Sequence, residues 1–301
     1  MATDRRDNNN GSAADGRPAM TDGDEHPARP IPRQTTGDRP VPDEQRSRSE
    51  LYSELRDASS AVDPGPRSGQ DGPRTTNDGA WEWKGLRLAP EANRIADEEL
   101  PARRSAEGRA TDGSYSDHGI TPGVRRVEAR LEHGALVPDT ERFALKSPDR
   151  FKEKLAKLIE RYPDRSPEQL SSAIHDGIRY TFIFDPSSYV TGVRDTQKKL
   201  TEEGYRLRLL KPSWDDPDYK GINSRWRDPD SGLLFELQFH TRESWEAKQA
   251  THEIYETMAD PRTTPDQCSR LAAEQRKITA GITVPKSVTK ISYYSAREAD
   301  E

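Results

Sequence analysis

Apolar and polar residues alternate along residues 233–241, Leu-Leu-Phe-Glu-Leu-Gln-Phe-His-Thr. A period of two is typical of a β-strand whose two faces differ in character. One face would carry Leu233, Phe235, Leu237 and Phe239, and the other Leu234, Glu236, Gln238 and His240. The pattern therefore predicts a strand that directs a carboxylate, an amide and an imidazole to one side. That side is either a site or the solvated face of a sheet.

Three further stretches predict strands. Residues 178–184, Ile-Arg-Tyr-Thr-Phe-Ile-Phe, are rich in β-branched and aromatic side chains and indicate a central strand covered on both faces. Residues 205–211 predict a second strand. Residues 219–223 open a third, and the turn signal Asp-Pro-Asp-Ser-Gly at 228–232 joins it to the alternating strand as a hairpin.

Between these strands, apolar residues recur with helical spacing behind recognisable start signals. Thr121-Pro122, Ser147-Pro148 and Ser166-Pro167 each combine an N-cap residue with proline at the first helical position. The predicted helices are 90–100, 121–134, 147–162, 166–174, 188–203, 242–258 and 265–280, with a short strand or loop at 142–146 and a last edge strand at 288–294.

This order of elements predicts an α+β fold, close to the α/β class, with a mixed sheet of four to five strands and helices on its faces. The folded domain is expected over residues 120–294, with a tail at 295–301 and a transitional, partly helical segment at 81–119. Residues 1–80 contain one aromatic, Tyr52, and no lysine, which predicts a disordered tail or linker.

Composition excludes several classes of function. The net charge of −6 argues against a broadly basic surface that coats nucleic acid. A single cysteine, Cys268, excludes an internal disulfide framework and a cysteine-based zinc site. No apolar run is long enough to span a membrane, and the N-terminus lacks the apolar core of a secretory signal. We expect action in the cytoplasm, with any export following a non-classical route.

Two positions before the alternating strand are suited to phosphate chemistry. Lys146 precedes a helix start, and Arg150 and Lys154 follow at a spacing of four, so all three could face a polyphosphate. Asp176 lies at the mouth of the central strand, where a carboxylate could hold Mg²⁺. The alternatives are a solvated helix face for the cations and a simple helix C-terminal position for Asp176.

The alternating strand and the loop before it could complete such a site. Glu236 could be a second metal ligand or a general base for a hydroxyl. Aromatic residues beside lysines suit stacking on a base while phosphates are neutralised, although an aromatic in a loop can also be a packing anchor. The residues concerned are Lys211, Trp214, Tyr219, Lys220 and Asn223.

These stretches together resemble the synthetase domain of the RelA/SpoT family, the alarmone synthetases, which has a nucleotidyltransferase-like fold. Residues 236–241 resemble the family signature Glu-x-Gln-x-Arg-Thr, and residues 219–223 resemble its Gly-Tyr-x-Ser-Leu-His loop. Lys211 is placed like the lysine ahead of that loop. The matches keep the family order over residues 121–255.

The remaining matches lie on the side that binds ATP in the family. Lys146 and Ser147, with Lys154 eight residues after the lysine, resemble its Lys-Ser segment. Asp176 and Arg179 resemble its Asp…Gly-Ile-Arg segment. His252 and Tyr255 resemble the His…Tyr-Lys pair on the helix after the last strand.

The chain departs from the family pattern at four places. His240 stands where the family has arginine, and Asn223 where it has histidine. Asp176 precedes Arg179 by three residues where the family spacing is five, and Ala144 occupies a position where arginine is common. These departures indicate a divergent small member or a toxin-type member of the family.

The resemblance implies Mg²⁺-dependent transfer of pyrophosphate from ATP to the ribose 3′-hydroxyl of a guanine nucleotide, GDP or GTP, or of another acceptor such as a tRNA 3′ end. Asp176 and Glu236 would be catalytic and hold the metal. The ATP phosphates would bind Lys146, Ser147, Arg150, Lys154 and Arg179, and the acceptor would bind Lys211, Tyr219, Lys220, Asn223, Gln238 and His240. A toxin would imply an antitoxin or immunity partner. The alternatives are a catalytically degenerate nucleotide-binding or interaction module and a different nucleotidyl or phosphoryl transferase on the same fold.

Overall fold

The computed structural model describes residues 72–108, 110, 114–258, 260 and 262–296. Up to residue 71, the predicted disordered segment lies outside the described residues. The strands are β1 Arg74–Thr75, β2 Trp81–Trp83, β3 Leu86–Leu88, β4 Ala135–Leu136, β5 Arg179–Ile183, β6 Arg206–Pro212, β7 Ile222–Arg227, β8 Leu234–His240 and β9 Tyr294–Ser295. The helices are α1 Pro90–Glu107, α2 Ile120–Ala129, α3 Thr140–Ala144, α4 Pro148–Arg161, α5 Pro167–Ser172, α6 Tyr189–Glu202, α7 Arg242–Ala250, α8 His252–Met258 and α9 Pro265–Thr279.

The described residues form a mixed sheet with the strand order β4-β5-β8-β7-β6-β9. Strands β5 and β8 are parallel, and the other neighbours in this sheet are antiparallel. This confirms the predicted α+β class and the predicted hairpin, which is β7 and β8. A separate sheet, β1-β2-β3, precedes α1.

The apolar face of the mixed sheet carries the main core. Phe182 on β5 and Phe239 on β8 are fully buried and stack at 6.2 Å between ring centroids. Helices α2 and α6 supply Val124 and Val193 to the same cluster. Burial of each large apolar side chain contributes roughly 1.5–3 kcal/mol, so this face accounts for much of the stability. The alternating pattern of β8 therefore has its predicted apolar face.

Three predicted boundaries were wrong. The second helix begins at Ile120 behind Gly119, whose φ of 113° is easily adopted only by glycine, so Thr121 is inside the helix rather than its cap. That helix ends at Ala129, before Gly134. The strand or loop predicted at 142–146 is helical over residues 142–144, because α3 covers Thr140–Ala144.

Two other predictions near the C-terminus need correction. The single helix expected at 242–258 is divided at Thr251, where a backbone outside the helical region separates α7 from α8. The last edge strand is Tyr294–Ser295, paired with β6, and it is preceded by a 3₁₀ turn at Val288–Lys290 rather than by strand. None of the described helices has the length and apolar character needed to cross a membrane.

We expect Gly192→Ala to lower the free energy of unfolding by about 1–3 kcal/mol, the usual cost of overpacking a core. Gly192 lies in α6, and a Cβ there would come within 2.3 Å of the buried Phe184 ring. Urea unfolding measures the change. The matched control is Gly281→Ala, because a Cβ at Gly281 meets nothing within 4 Å. Equal effects of the two substitutions would contradict the packing described for α6.

Candidate functional site

The polar face of the mixed sheet is built from rows of side chains that run across the strands. Register pairs Arg179 on β5 with Glu236 on β8. One row further, Gln238 lies between Thr181 on β5 and Asn223 on β7, and Lys211 on β6 continues that row. Residues in register share a face, so the strands alone bring these predicted site residues together.

The sequence left open whether this polar face is a site or is solvated. On β8 it is buried, which excludes a solvated face there. Glu236, Gln238 and His240 have exposed fractions of only 7%, 5% and 0%. Buried polar groups need partners, because an unpaired one costs the full desolvation penalty. Each of the three side chains accordingly has one, and the partners define the site.

Glu236 lies in the middle of a connected chain of side chains. Its Oε1 accepts a hydrogen bond of 2.6 Å from Gln238 Nε2, and its Oε2 lies 3.5 Å from His175 Nε2. Lys248 on α7 donates from Nζ to Gln238 Oε1. Burial alone would raise the pKa of Glu236, but His175 and the Arg179 charge hold it below its usual value. Glu236 is therefore an ionised carboxylate.

Asp176 lies beside this chain on the short 3₁₀ turn His175–Gly177 that leads into β5. Lys154 Nζ is 2.8 Å from Asp176 Oδ1, and Lys146 Nζ is 3.3 Å from Oδ2. Burial would raise the pKa of Asp176, but the two ammonium groups outweigh it and hold the pKa well below its usual range. Lys146 is placed by a backbone bond from its amide to the carbonyl of Gly177, at 2.9 Å.

The far end of the polar face is closed by hydrogen bonds among predicted acceptor residues. Tyr219 Oη lies 2.9 Å from His240 Nε2 and donates to Asn223 Oδ1 at 2.8 Å. His240 Nδ1 lies 2.9 Å from Ser244 Oγ. Burial, with a further contribution from Lys248, lowers the pKa of His240 well below its usual value, so the ring is neutral. Tyr219 itself precedes β7 rather than opening it.

Helix α9 fixes the loop that carries Tyr219. Gln275 donates to the carbonyl of Asp218 at 2.7 Å, and Arg276 forms an ion pair with the Asp218 carboxylate at 2.8 Å. Lys220 in the same loop donates to the carbonyl of Trp214 at 2.9 Å. Lys220 thus anchors the loop, whereas Lys211 is exposed. Trp214 is a buried packing residue, bonded to Tyr189.

Among the described residues, neither Arg150 nor Ser147 has a side-chain hydrogen bond or ion pair to Asp176. Arg150 forms ion pairs with Glu256 at 2.8 Å and Glu153 at 3.0 Å and lies over the Trp83 ring. Ser147 is the exposed N-cap of α4, without a side-chain capping bond. Of the predicted phosphate-binding residues, the structure therefore brings Lys146, Lys154 and Arg179 near the carboxylates.

Arg103, which no sequence motif indicated, supports the Asp176 turn from α1. Its guanidinium is fully buried and donates to the carbonyls of Ile174 at 2.8 Å and Ser171 at 3.1 Å. These carbonyls end the segment directly before His175. The available signal was helical periodicity, because Arg103 falls seven residues after buried Ala96, on the same face of α1.

Lys248 is a second residue of the site that no sequence motif indicated. It is half-buried, and burial and the nearby Arg179 charge lower its pKa to about 7. The signal for an inward position was its place four residues after the buried Ser244 on α7. His252 and Tyr255, which the family pattern singled out, are exposed on α8 instead, with Tyr255 62% exposed. His252 lies 3.6 Å from Glu256.

No family model and no curated protein matches the sequence. Solved structures with similarity include small alarmone synthetase 1 of Bacillus subtilis bound to pppGpp, at 12% identity and a TM-score of 0.38, covering 62% of this chain and 90% of that one. The type VI effector Tas1, in complex with its immunity protein, is 17% identical with a TM-score of 0.35. That match covers 63% of this chain and 93% of Tas1. A GTP pyrophosphokinase family protein from Streptococcus pneumoniae is 13% identical with a TM-score of 0.35. That match covers 63% of this chain and 84% of the other protein. At these values the neighbours carry no weight for the function of this chain.

We expect Asp176→Asn to reduce the acid dependence of stability. The lysines hold the folded pKa of Asp176 below its unfolded value of about 3.9, so its ion pairs stabilise fully above that pH and are lost as the pH falls toward the folded pKa. Between pH 6 and pH 3 the free energy of unfolding of the wild type should fall by about 1 kcal/mol more than that of the variant. Urea unfolding at both pH values tests this.

The control is Asp164→Asn, at an exposed position after α4. It should keep the pH dependence of the wild type. The same dependence in Asp176→Asn would show that the two lysine contacts do not stabilise the fold.

Proposed function

We propose that this protein transfers pyrophosphate from ATP to a ribose 3′-hydroxyl of an acceptor. The observation that carries the proposal is the arrangement of two ionised, largely buried carboxylates, Asp176 and Glu236, with basic side chains on both sides. Lys146 and Lys154 flank Asp176 on one side, and Lys248 reaches Glu236 through Gln238 on the other. Phosphoryl and pyrophosphoryl transfer need this combination of positioning and charge neutralisation.

The donor set of the site fits Mg²⁺. Carboxylate oxygens are the hard ligands that Mg²⁺ prefers, and it is commonly held by one or two of them together with substrate phosphates. The described residues contain no cluster of three or more acidic, histidine or cysteine side chains of the kind that would enclose a metal completely. Asp176 and Glu236 would hold the ion, and when bound it would neutralise charge on the ATP phosphates.

The lysines then have a clear role. Both lysines pair with Asp176, which compensates their charges in a partly buried position. The triphosphate would take them over, because phosphate oxygens offer more charge than one carboxylate. Lys146 and Lys154 would thereby orient the β-phosphorus of ATP beside Glu236.

Glu236 would act on the acceptor. Its carboxylate is ionised, so it accepts a hydrogen bond from the ribose 3′-hydroxyl and takes the proton as the oxygen bonds to the β-phosphorus. The bond between that phosphorus and the oxygen bridging to the α-phosphate breaks, and AMP leaves. His175, at 3.5 Å from Glu236, and Gln238 hold the carboxylate in place. Tyr219, Asn223 and Lys211 would contact the acceptor.

A second candidate function is nucleotide binding without turnover. The observation that favours it is the closed network at the acceptor end, where Tyr219 bonds to both Asn223 and a fully buried, neutral His240. Polar groups that already form hydrogen bonds with one another have fewer free donors and acceptors for a ligand. Binding of ATP and Mg²⁺ with no AMP release in the presence of any acceptor would support this function over the first.

We expect Glu236→Gln to lower AMP release by about 100-fold or more, because the amide cannot take the hydroxyl proton. Purified protein is incubated with labelled ATP, Mg²⁺ and GDP, GTP, ADP or deacylated tRNA, and the products are identified by mass. Asp164→Asn should keep wild-type turnover. Full activity of Glu236→Gln with an intact fold would show that another group takes the proton.

The same variants test whether the activity is toxic. Induced expression of the wild type should arrest growth of a bacterial host, because ATP and the acceptor would be consumed, whereas Glu236→Gln should not. Growth curves and nucleotide pools measure the effect. Equal growth arrest by both proteins at equal expression would show that toxicity does not depend on the proposed reaction.

A further inference from the structure

A fully buried arginine links α1 to the turn that carries Asp176. The guanidinium of Arg103 donates from Nη1 to the carbonyl of Ile174 at 2.8 Å and from Nη2 to the carbonyl of Ser171 at 3.1 Å. Ile174 directly precedes the 3₁₀ turn His175–Gly177, and Ser171 lies at the end of α5. One rigid planar group therefore fixes two points of the backbone just before Asp176.

The space beside Gly177, on the other side of Asp176, is filled by the same guanidinium. A Cβ at Gly177 would lie 2.5 Å from Arg103 Nη1 and 3.2 Å from its Cζ, which is too close for either atom. The backbone does not itself require glycine there, because the φ of Gly177 is not positive. The carbonyl of Gly177 accepts a hydrogen bond from the Lys146 amide at 2.9 Å. The turn is thus held before and after Asp176.

The buried position of Arg103 has a cost in free energy. Burial lowers its pKa, while the charges of Glu99 and Asp176 act in the opposite direction. Glu99, one turn earlier on α1, forms an ion pair with Arg103 at 3.0 Å, and the Phe151 ring centroid lies 5.0 Å from its Cζ. Apolar residues of similar volume often replace a buried ion pair without loss of stability. They cannot supply the fork of N–H donors that the two carbonyls use.

Arg103 acts on Asp176 through the backbone rather than by direct contact. In the described part of the chain, the ion pairs of Asp176 are with Lys146 and Lys154, whereas Arg103 pairs with Glu99. Helix α1 also precedes residues 121–255, over which the chain resembles the family, and none of the motifs that carry the resemblance contains Arg103. The support is therefore an addition from outside the matched region.

We propose that Arg103 is a positioning residue for Asp176 and holds its carboxylate where it can bind Mg²⁺ together with the ATP phosphates. The inference rests on the proposed function for the part that Asp176 plays. It adds that α1 belongs to the working site, so the domain expected at 120–294 is incomplete without it. Loss of a group that orients a metal-binding carboxylate typically costs about 10–100-fold in metal affinity or activity.

Calorimetry tests this role without turnover. α,β-Methylene-ATP, which cannot release AMP in this reaction, is titrated into the full chain with Mg²⁺ and, separately, with EDTA in its place. Arg103→Met removes the donors and keeps a long apolar side chain. We expect it to weaken binding about tenfold or more with Mg²⁺, and by less than about twofold with EDTA. A merely structural role would instead lower the fraction of binding-competent protein in both titrations and leave the affinity unchanged.

Two further variants separate positioning from folding. Gly177→Ala keeps every donor and charge but places a Cβ against Arg103, so it should cause the same Mg²⁺-dependent loss. Arg103→Lys should retain part of the affinity, because one ammonium can still donate to one of the two carbonyls. The control is Arg104→Met, at the exposed neighbour on α1, which should bind as the wild type does. Thermal melting identifies a variant that does not fold, and Gly177→Ala carries the test if Arg103→Met is that variant.

Steady-state kinetics gives a second measurement. In the proposed arrangement the acceptor contacts Glu236 and the Tyr219 region rather than Asp176. Arg103→Met should therefore raise the KM for ATP or lower kcat while the KM for the acceptor stays at its wild-type value.

Three results would overturn the positioning role: unchanged Mg²⁺-dependent affinity in both Arg103→Met and Gly177→Ala, an equal loss of affinity with EDTA, or no Mg²⁺-dependent binding to the wild type. The role and the reaction can fail separately. Mg²⁺-dependent binding that requires Arg103, without AMP release with any acceptor, would remove the proposed reaction and leave the role. AMP release by Arg103→Met with wild-type kcat and wild-type KM for ATP would do the reverse.

Discussion

The parallel pairing of β5 with β8 is the constraint on which the site depends. It sets Arg179 beside Glu236 and Thr181 beside Gln238, and it places the Asp176 turn at the start of β5 next to the same carboxylate. A slip of one residue would turn Glu236 and Gln238 into the apolar core and bring Leu237 to the polar face. The aromatic contacts of Phe182 with Phe239 make that slip costly, so the core side of the sheet fixes the chemistry on the other side.

The buried polar face explains much of the surrounding structure. Charged groups that leave water must find partners or shift their pKa values. Asp176 and Glu236 stay ionised because lysines, His175 and Arg179 surround them, whereas His240 becomes neutral. The supports lie in distant parts of the chain: Arg103 on α1 holds the segment before Asp176, and α9 holds the loop before Tyr219. Elements outside the sheet thus serve to keep its polar face in one arrangement.

Much of the fold could be predicted from local signals. The helix that begins behind Ser147, the N-cap at Ser166 and the alternation of β8 could all be predicted, because each depends on residues close together in the chain. The failures have the same origin. Thr121 looked like a cap, but its hydroxyl bonds to Glu107 and Tyr180 in the interior, and Gly119 takes the turn instead. No local pattern contains those partners.

The sequence by itself determined the faces of the strands and the kinds of side chain at the site, since period and composition are properties of the chain alone. It could also place Asp176 at the mouth of a strand. Tertiary structure decided which of these side chains meet. Arg150, although four residues from Lys154, forms an ion pair with Glu256 instead of contacting Asp176. Lys248 and Arg103 reach the site and its supporting turn from helices, and no sequence motif indicates either residue. Spacing along a helix fixes the direction in which a side chain points. Which group it contacts depends on how that helix packs against other elements.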